Sequence, residues 1–146
     1  GYSDSVAYGH SKLANALFSL KLADLLRGSR ITSNALHPGV IYTGMARNLS
    51  AASRAAWRAY TSVAGKSVEQ GAATTCYVAT SENLGNISGH YFEDCQAVTI
   101  EGEGHMQNMA MAERLLEVSI ELTRDWLVEF RKPTAEDFAR PQGDEA

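Results

Sequence analysis

Apolar positions near the start of the chain fall into two rows at helical spacing. Leu13, Leu17 and Leu20 make one row, and Ala14, Phe18, Leu22 and Leu25 make the other. The pattern predicts a helix over 6–26. Two rows give an apolar surface wider than a helix resting on one neighbour needs, so burial on more than one side, or packing against a partner chain, is expected. Gly28 follows as a stop signal. Residues 31–36 predict a short strand. His37-Pro38-Gly39 closes it, because proline cannot continue a ladder and glycine permits a sharp turn. From 43 to 65 the apolar spacing is loose. Ala46, Leu49, Ala52, Trp57 and Tyr60 admit short helical pieces in a mobile flap. Ser67-Val68-Glu69-Gln70 is a capping box and opens a helix running to Ser81. Turn residues fill 83–88, and 89–93 predicts a second strand. Between 97 and 104 only Val98, Thr99 and Ile100 favour extended backbone. An amphipathic helix is expected over 106–130, with Ala112, Leu116 and Ile120 on one row, and a frayed tail follows it.

The order helix, strand, flap, helix, strand, helix predicts an α/β fold with a parallel sheet. Two strands alone make a poor sheet, so the pattern reads as part of a larger one. Composition adds limits. The 146 residues are 45% hydrophobic and 21% charged, which suits one globular domain. A net charge of -4 leaves no basic stripe to neutralise phosphates, which excludes a dedicated nucleic-acid binder. No apolar run approaches the ~18–20 residues needed to span a membrane. Cys76 and Cys95 match neither a metal motif nor a disulfide framework, and read as free thiols in a reducing, cytoplasmic compartment. His10, His37, His90 and His105 are too scattered for a metal site. His37 is expected to make a structural hydrogen bond rather than to contact a ligand. Glu113, Glu117 and Glu121 recur at four-residue steps, the pattern of a solvated helix face.

The candidate chemistry sits in A-Y-G-H-S-K-L-A-N-A-L-F, residues 7–18. Tyr8 and Lys12 are four apart, so a helix brings them to one face with Cβ atoms roughly 5–6 Å apart. A phenol beside an ammonium gives up its proton more readily, because positive charge favours phenolate. Such a group can pass a proton to or from an alcohol or carbonyl oxygen. The spacing alone equally fits an aromatic at a helix start and a solvated lysine.

Further motifs occur in a characteristic order. Y-G-H-S-K-L-A-N-A-L-F is followed by Pro38-Gly39 and Thr43, by E-Q-G-A-A-T-T (69–75), by S-G-H-Y-F-E-D-C (88–95) and by A-E-R-L-L-E-V-S-I-E-L (112–122). Together they resemble the second half of the classical short-chain dehydrogenase/reductase family, and most closely its subgroup of retinol dehydrogenase-like and WW-domain oxidoreductase-like members. The resemblance implies the C-terminal part of a Rossmann-type doubly wound parallel sheet. It makes Tyr8 the catalytic acid/base. Lys12 assists it and binds the nicotinamide ribose hydroxyls of NADP or NAD, and Ser11 is a minor position. Pro38, Gly39, Val40 and Thr43 would lie beside the nicotinamide, with Ile41 adding apolar contact. Residues 44–66 would form a substrate lid whose Trp57 and Tyr60 suit a small lipophilic alcohol or carbonyl compound, retinol- or steroid-like. The helix over 6–26 would pair with its equivalent in a homodimer.

The family's phosphate-binding glycine loop, asparagine and catalytic serine precede the tyrosine, and this sequence has only seven residues before Tyr8. Ser3 and Ser5 do not replace that serine, and Gly102 and Gly104 come too late for the loop. The expectation is therefore that residues 1–131 form the C-terminal half of a short-chain dehydrogenase domain, 132–146 a flexible tail, and that the chain alone lacks activity. The alternative is a catalytically inactive remnant acting through protein–protein interaction.

Overall fold

A computed structural model describes residues 1–100 and 104–126. Gly102, the last part of the helix expected over 106–130 and the tail expected over 132–146 lie outside the described residues. The chain divides into two compact units. The first contains Gly1–Ala35, Gly85–Tyr91 and the described residues from Thr99 onward. The second contains Leu36–Leu84 and Phe92–Val98.

In the first unit, helix α1 runs Asp4–Leu25 and helix α4 runs Met109–Thr123. Asp4 in the first turn of α1 suits the positive end of the helix dipole. The Asn108 side chain caps α4 by accepting the Met111 N–H at 2.9 Å. The two helices pack together. Ala16, Leu17, Ala23 and Leu26 are buried, as is Ala112 of α4. Each buried leucine contributes about 1.5–3 kcal/mol.

The two apolar rows are not used equally. Phe18 stays half exposed, while Lys21 is buried in its stead. Its ammonium bonds Glu113 of α4 at 2.8 Å and Asp24 at 3.0 Å. Glu113 is therefore not part of a solvated face, as its spacing with Glu117 and Glu121 suggested. Arg114 and Glu117 do form an exposed pair at 3.2 Å.

The strand expected over 31–36 is shorter and later. Strand β1 is Ala35–His37, so His37 belongs to it and Pro38 ends it. Polar side chains explain the loss of 31–34. Ser33 N–H donates to Ser88 Oγ at 3.0 Å, and the Asn34 amide donates to the Ile87 carbonyl at 2.8 Å while accepting from the His90 N–H at 3.0 Å. Side-chain bonds of this kind compete with a backbone ladder.

The strand order in the sheet is β1, β2 (Tyr91–Glu93), β3 (Gln96–Val98). Gly89 N–H bonds the Ser33 carbonyl and Ala35 N–H bonds the His90 carbonyl, so the backbones of β1 and β2 advance together and pair in parallel. β2 and β3 are joined through Asp94 and Cys95, both with positive φ (51° and 59°), the two-residue turn of an antiparallel hairpin. The small sheet is thus mixed, within an α/β chain. The parallel pair follows the sequence pattern, and the antiparallel third strand is added by residues whose pattern was indecisive.

Helix α2 spans Ala51–Ala64, capped by Ser50, and α3 spans Val68–Thr80. Both halves of the capping box form, with Ser67 Oγ accepting from Gln70 N–H at 3.2 Å and Gln70 Oε1 accepting from Ser67 N–H at 2.9 Å. Phe92 is 1% exposed and meets the Tyr77 ring edge-on at 6.4 Å between centroids. The buried Thr74 hydroxyl accepts the Cys95 N–H at 3.3 Å, tying α3 to the hairpin turn.

Candidate functional site

In the first unit, α1 sets Tyr8 and Lys12 one turn apart, as their spacing requires. The Lys12 ammonium stands 5.3 Å from the centroid of the Tyr8 ring, within cation–π range. Ser11 Oγ donates to the Tyr8 carbonyl at 2.7 Å, a bond that stays within the helix turn. Both side chains lie on the exposed part of α1, Tyr8 being 51% accessible. Among the described residues, no carboxylate pairs with Lys12 and no acceptor engages the Tyr8 hydroxyl. Among the described residues, then, the Tyr8 O–H and the Lys12 N–H groups have no hydrogen-bond acceptor. Three ammonium donors suit adjacent sugar hydroxyls, and a phenol suits a substrate oxygen.

In the second unit, Pro38, Gly39, Val40 and Thr43 lie on the segment between β1 and the 3-10 turn at Gly44–Asn48. Gly39 has φ +88°, which disfavours any side chain there. His37 Nδ1 accepts the Gly39 N–H at 3.2 Å and faces Glu93 Oε1 at 3.4 Å, which is the structural role expected of it. The Val40 carbonyl accepts the Lys66 N–H at 2.8 Å, and Ile41 forms a parallel bridge with Lys66. Gly71 of α3 leaves room for Ile41 and the Pro38 carbonyl, where a Cβ would collide with the Ile41 side chain. Thr43 is exposed and its carbonyl accepts the Ala46 N–H at 3.4 Å, opening a 3-10 turn at Gly44–Asn48. This turn offers a ligand shaped backbone and apolar surface.

The segment expected as a flap is more regular than its loose pattern indicated. In α2 the Trp57 and Tyr60 rings stand 5.7 Å apart. With Leu49, Ser53 and Ala56 they line an open surface groove of about 530 Å³. Its lining is apolar apart from Ser53, which suits a lipophilic ligand.

Three charged residues escaped the sequence reading: Lys21, Lys66 and Asp94. Lys66 pairs with Asp94 across 28 residues, and Lys21 reaches Glu113 across 92. The only sequence trace of the second is a lysine one turn after Leu17, on a row otherwise apolar. Hydrogen bonds to Glu113 and then Asp24 hold the Lys21 ammonium above its ordinary pKa of 10.5. The Glu69 carboxyl is lowered by its own backbone N–H and by Ser67 at the start of α3. Among the described residues no cluster of three or more histidine, cysteine or acidic side chains could hold a metal ion. Nor is any described helix long and apolar enough to cross a membrane.

The chain is similar to curated proteins over most of its length. Mouse retinol dehydrogenase 12 is 42% identical over 121 residues, covering 83% of this chain and 37% of that protein. Mouse retinol dehydrogenase 11 is 40% identical over the same shares of each chain. Short-chain dehydrogenase TIC 32 A, chloroplastic, of Brassica napus is 41% identical over 123 residues, covering 83% of this chain and 38% of that protein. The chain thus spans little more than a third of the length of these relatives. No family model and no solved structure matches it.

Proposed function

Since the chain belongs to the short-chain dehydrogenase/reductase family, in its retinol dehydrogenase-like subgroup, we propose that it carries the proton-transfer residues of an NAD(P)-dependent oxidoreductase interconverting an alcohol and a ketone or aldehyde. The observation that carries this is the exposed Tyr8–Lys12 pair, with the Lys12 ammonium 5.3 Å from the phenol ring centroid and no acceptor for either group among the described residues. A nicotinamide cofactor, NADP or NAD, supplies or accepts the hydride when bound. Tyr8 does the remaining work at its phenolic oxygen: it takes the alcohol proton in oxidation and returns it to the carbonyl oxygen in reduction. Lys12 stands beside the Tyr8 ring and would hold the ribose hydroxyls with its N–H groups. Pro38, Gly39, Val40 and Thr43 would hold the nicotinamide, Gly39 letting backbone come close to the ring.

The substrate in this reading is small and lipophilic, retinol- or steroid-like. The apolar groove on α2 supports that class, since Trp57, Tyr60, Leu49 and Ala56 give area rather than polar recognition. The nucleotide-binding half comes from sequence beyond these residues, in line with the third of relatives' length that the chain spans. Pairing with a second copy through α1 is part of the proposal, supported by exposed Val6 and Phe18. Free Cys76 and Cys95 support a reducing compartment such as the cytoplasm.

Titration of NADH and NADPH into the chain, with and without the nucleotide-binding half of a retinol dehydrogenase-like relative, tests the reading. Saturable binding and alcohol-dependent turnover in the complemented sample, both lost in Tyr8→Phe, are expected. Full turnover by Tyr8→Phe would remove the assignment. Binding by the chain alone would remove the claim that the nucleotide site lies elsewhere.

A further inference from the structure

Lys66 stands directly after the lid helix α2 and touches the turn at 38–41 in three ways. Its N–H bonds the Val40 carbonyl at 2.8 Å, its backbone bridges Ile41, and its side chain lies across Gly39. A Cβ on residue 39 would fall 2.6 Å from Lys66 Cδ and 2.8 Å from its Cε and Nζ. The lysine stem thus occupies the space that glycine leaves open. Beyond Gly39 the ammonium is held by the carboxylate of Asp94. Asp94 has little freedom to follow it, because it sits at the left-handed tip of the β2–β3 hairpin. The following residue, Cys95, is in turn anchored to buried Thr74. Glu93, the other acid near this turn, faces His37, which itself holds the Gly39 N–H.

We infer that Lys66 is a positioning residue: clamped by Asp94, it presses the backbone at Gly39–Val40 into one conformation and couples the end of the lid helix to that turn. The part of this role that concerns the cofactor rests on the function proposed above; the clamp itself does not. Mobile four-carbon stems lose packing freedom when their head group is fixed, and the fixed stem then acts as a side wall. The turn has no side chain at residue 39 with which to hold itself. A lysine reaching over it from a neighbouring segment replaces that missing contact.

Asp94→Asn removes the charge while keeping a residue that tolerates positive φ. Lys66→Met removes the ammonium and keeps most of the stem. Native-state hydrogen exchange on the whole chain reads the result. For a part-exposed pair the Lys66 and Gly39 amides should exchange about two- to fivefold faster in Asp94→Asn. The double variant Asp94→Asn/Lys66→Met should add less than the sum of its parts, because one contact is removed twice. The Ser81 amide, at the far end of α3, should keep its rate. Unchanged Lys66 and Gly39 amides in both variants would overturn the clamp, and so would an equal acceleration at Ser81, which marks global loosening. In the complemented enzyme, a matching rise in cofactor KM with kcat preserved supports the positioning role. Exchange that accelerates with cofactor KM unmoved overturns that role and leaves the dehydrogenase reading intact. Failure of the complemented wild type to bind NADH or NADPH would instead sink the dehydrogenase reading, with the exchange rates still deciding the clamp.

Discussion

Lys12 and Lys21 stand on the same helix, nine residues or two and a half turns apart, and so on opposite faces of it. Their surroundings could hardly differ more. Lys12 is exposed and, among the described residues, meets the aromatic ring one turn before it and no carboxylate. Lys21 is buried with 6% accessibility and spends its charge on two carboxylates, one of them on α4. Among the described residues, one lysine lacks an ion pair and the other is tied to two acids. Under the proposed function, the helix holds its chemistry at one end and its anchorage at the other, and burial of the second half would steady the proton donor in the first.

The strongest way to break this comparison is at Tyr8. Under the proposed function, Tyr8→Phe should lower kcat by about 10²–10⁴-fold in the complemented enzyme. It should leave the thermal midpoint where it was, because the hydroxyl makes no described hydrogen bond. Steady-state kinetics beside a melting curve would show it. Lys21→Met should do the reverse. It takes the Lys21 ammonium from Glu113 and leaves Asp24 with Arg27, and should cost about 2 kcal/mol, less than a fully buried pair because both acids keep some water. Denaturant titration measures this, and an unchanged midpoint would mean that the methionine packs as well as the ion pair.

Alkaline pH sharpens the contrast without mutation. The folded-state pKa of Lys21 is raised above its ordinary value of 10.5. Its contribution to stability is therefore complete below that value and declines as pH rises through the higher folded-state one. Stability of the wild type should fall more steeply above pH 10.5 than that of Lys21→Met, which a urea series at stepped pH would resolve. The smallest expected effect is a control in the second unit. Ser67→Ala breaks the capping box and should cost about 1 kcal/mol without touching α1.

How much was legible follows the range of each interaction. The Tyr8–Lys12 pair, the Ser67–Gln70 box and the turn at Pro38-Gly39 involve residues within four positions, where backbone geometry alone dictates who meets whom. The strand at 31–36 was misplaced for a related reason. β-favouring residues mark the segment, but Ser33 and Asn34 give their hydrogen bonds to the loop at 87–90, which no local pattern announces. Glu113, Glu117 and Glu121 share one spacing and have different fates, because only Glu113 finds a buried lysine opposite.

By itself, then, the sequence determined the α/β order of elements, the family and the helix face that presents Tyr8 and Lys12. Periodicity and near-neighbour chemistry are properties of the chain read in line. Tertiary structure alone decided which row of α1 is buried, which lysine is neutralised and what lies across Gly39. Those outcomes depend on partners 28 and 92 residues distant, and contacts of that range are set by the path of the folded backbone rather than by spacing along the chain.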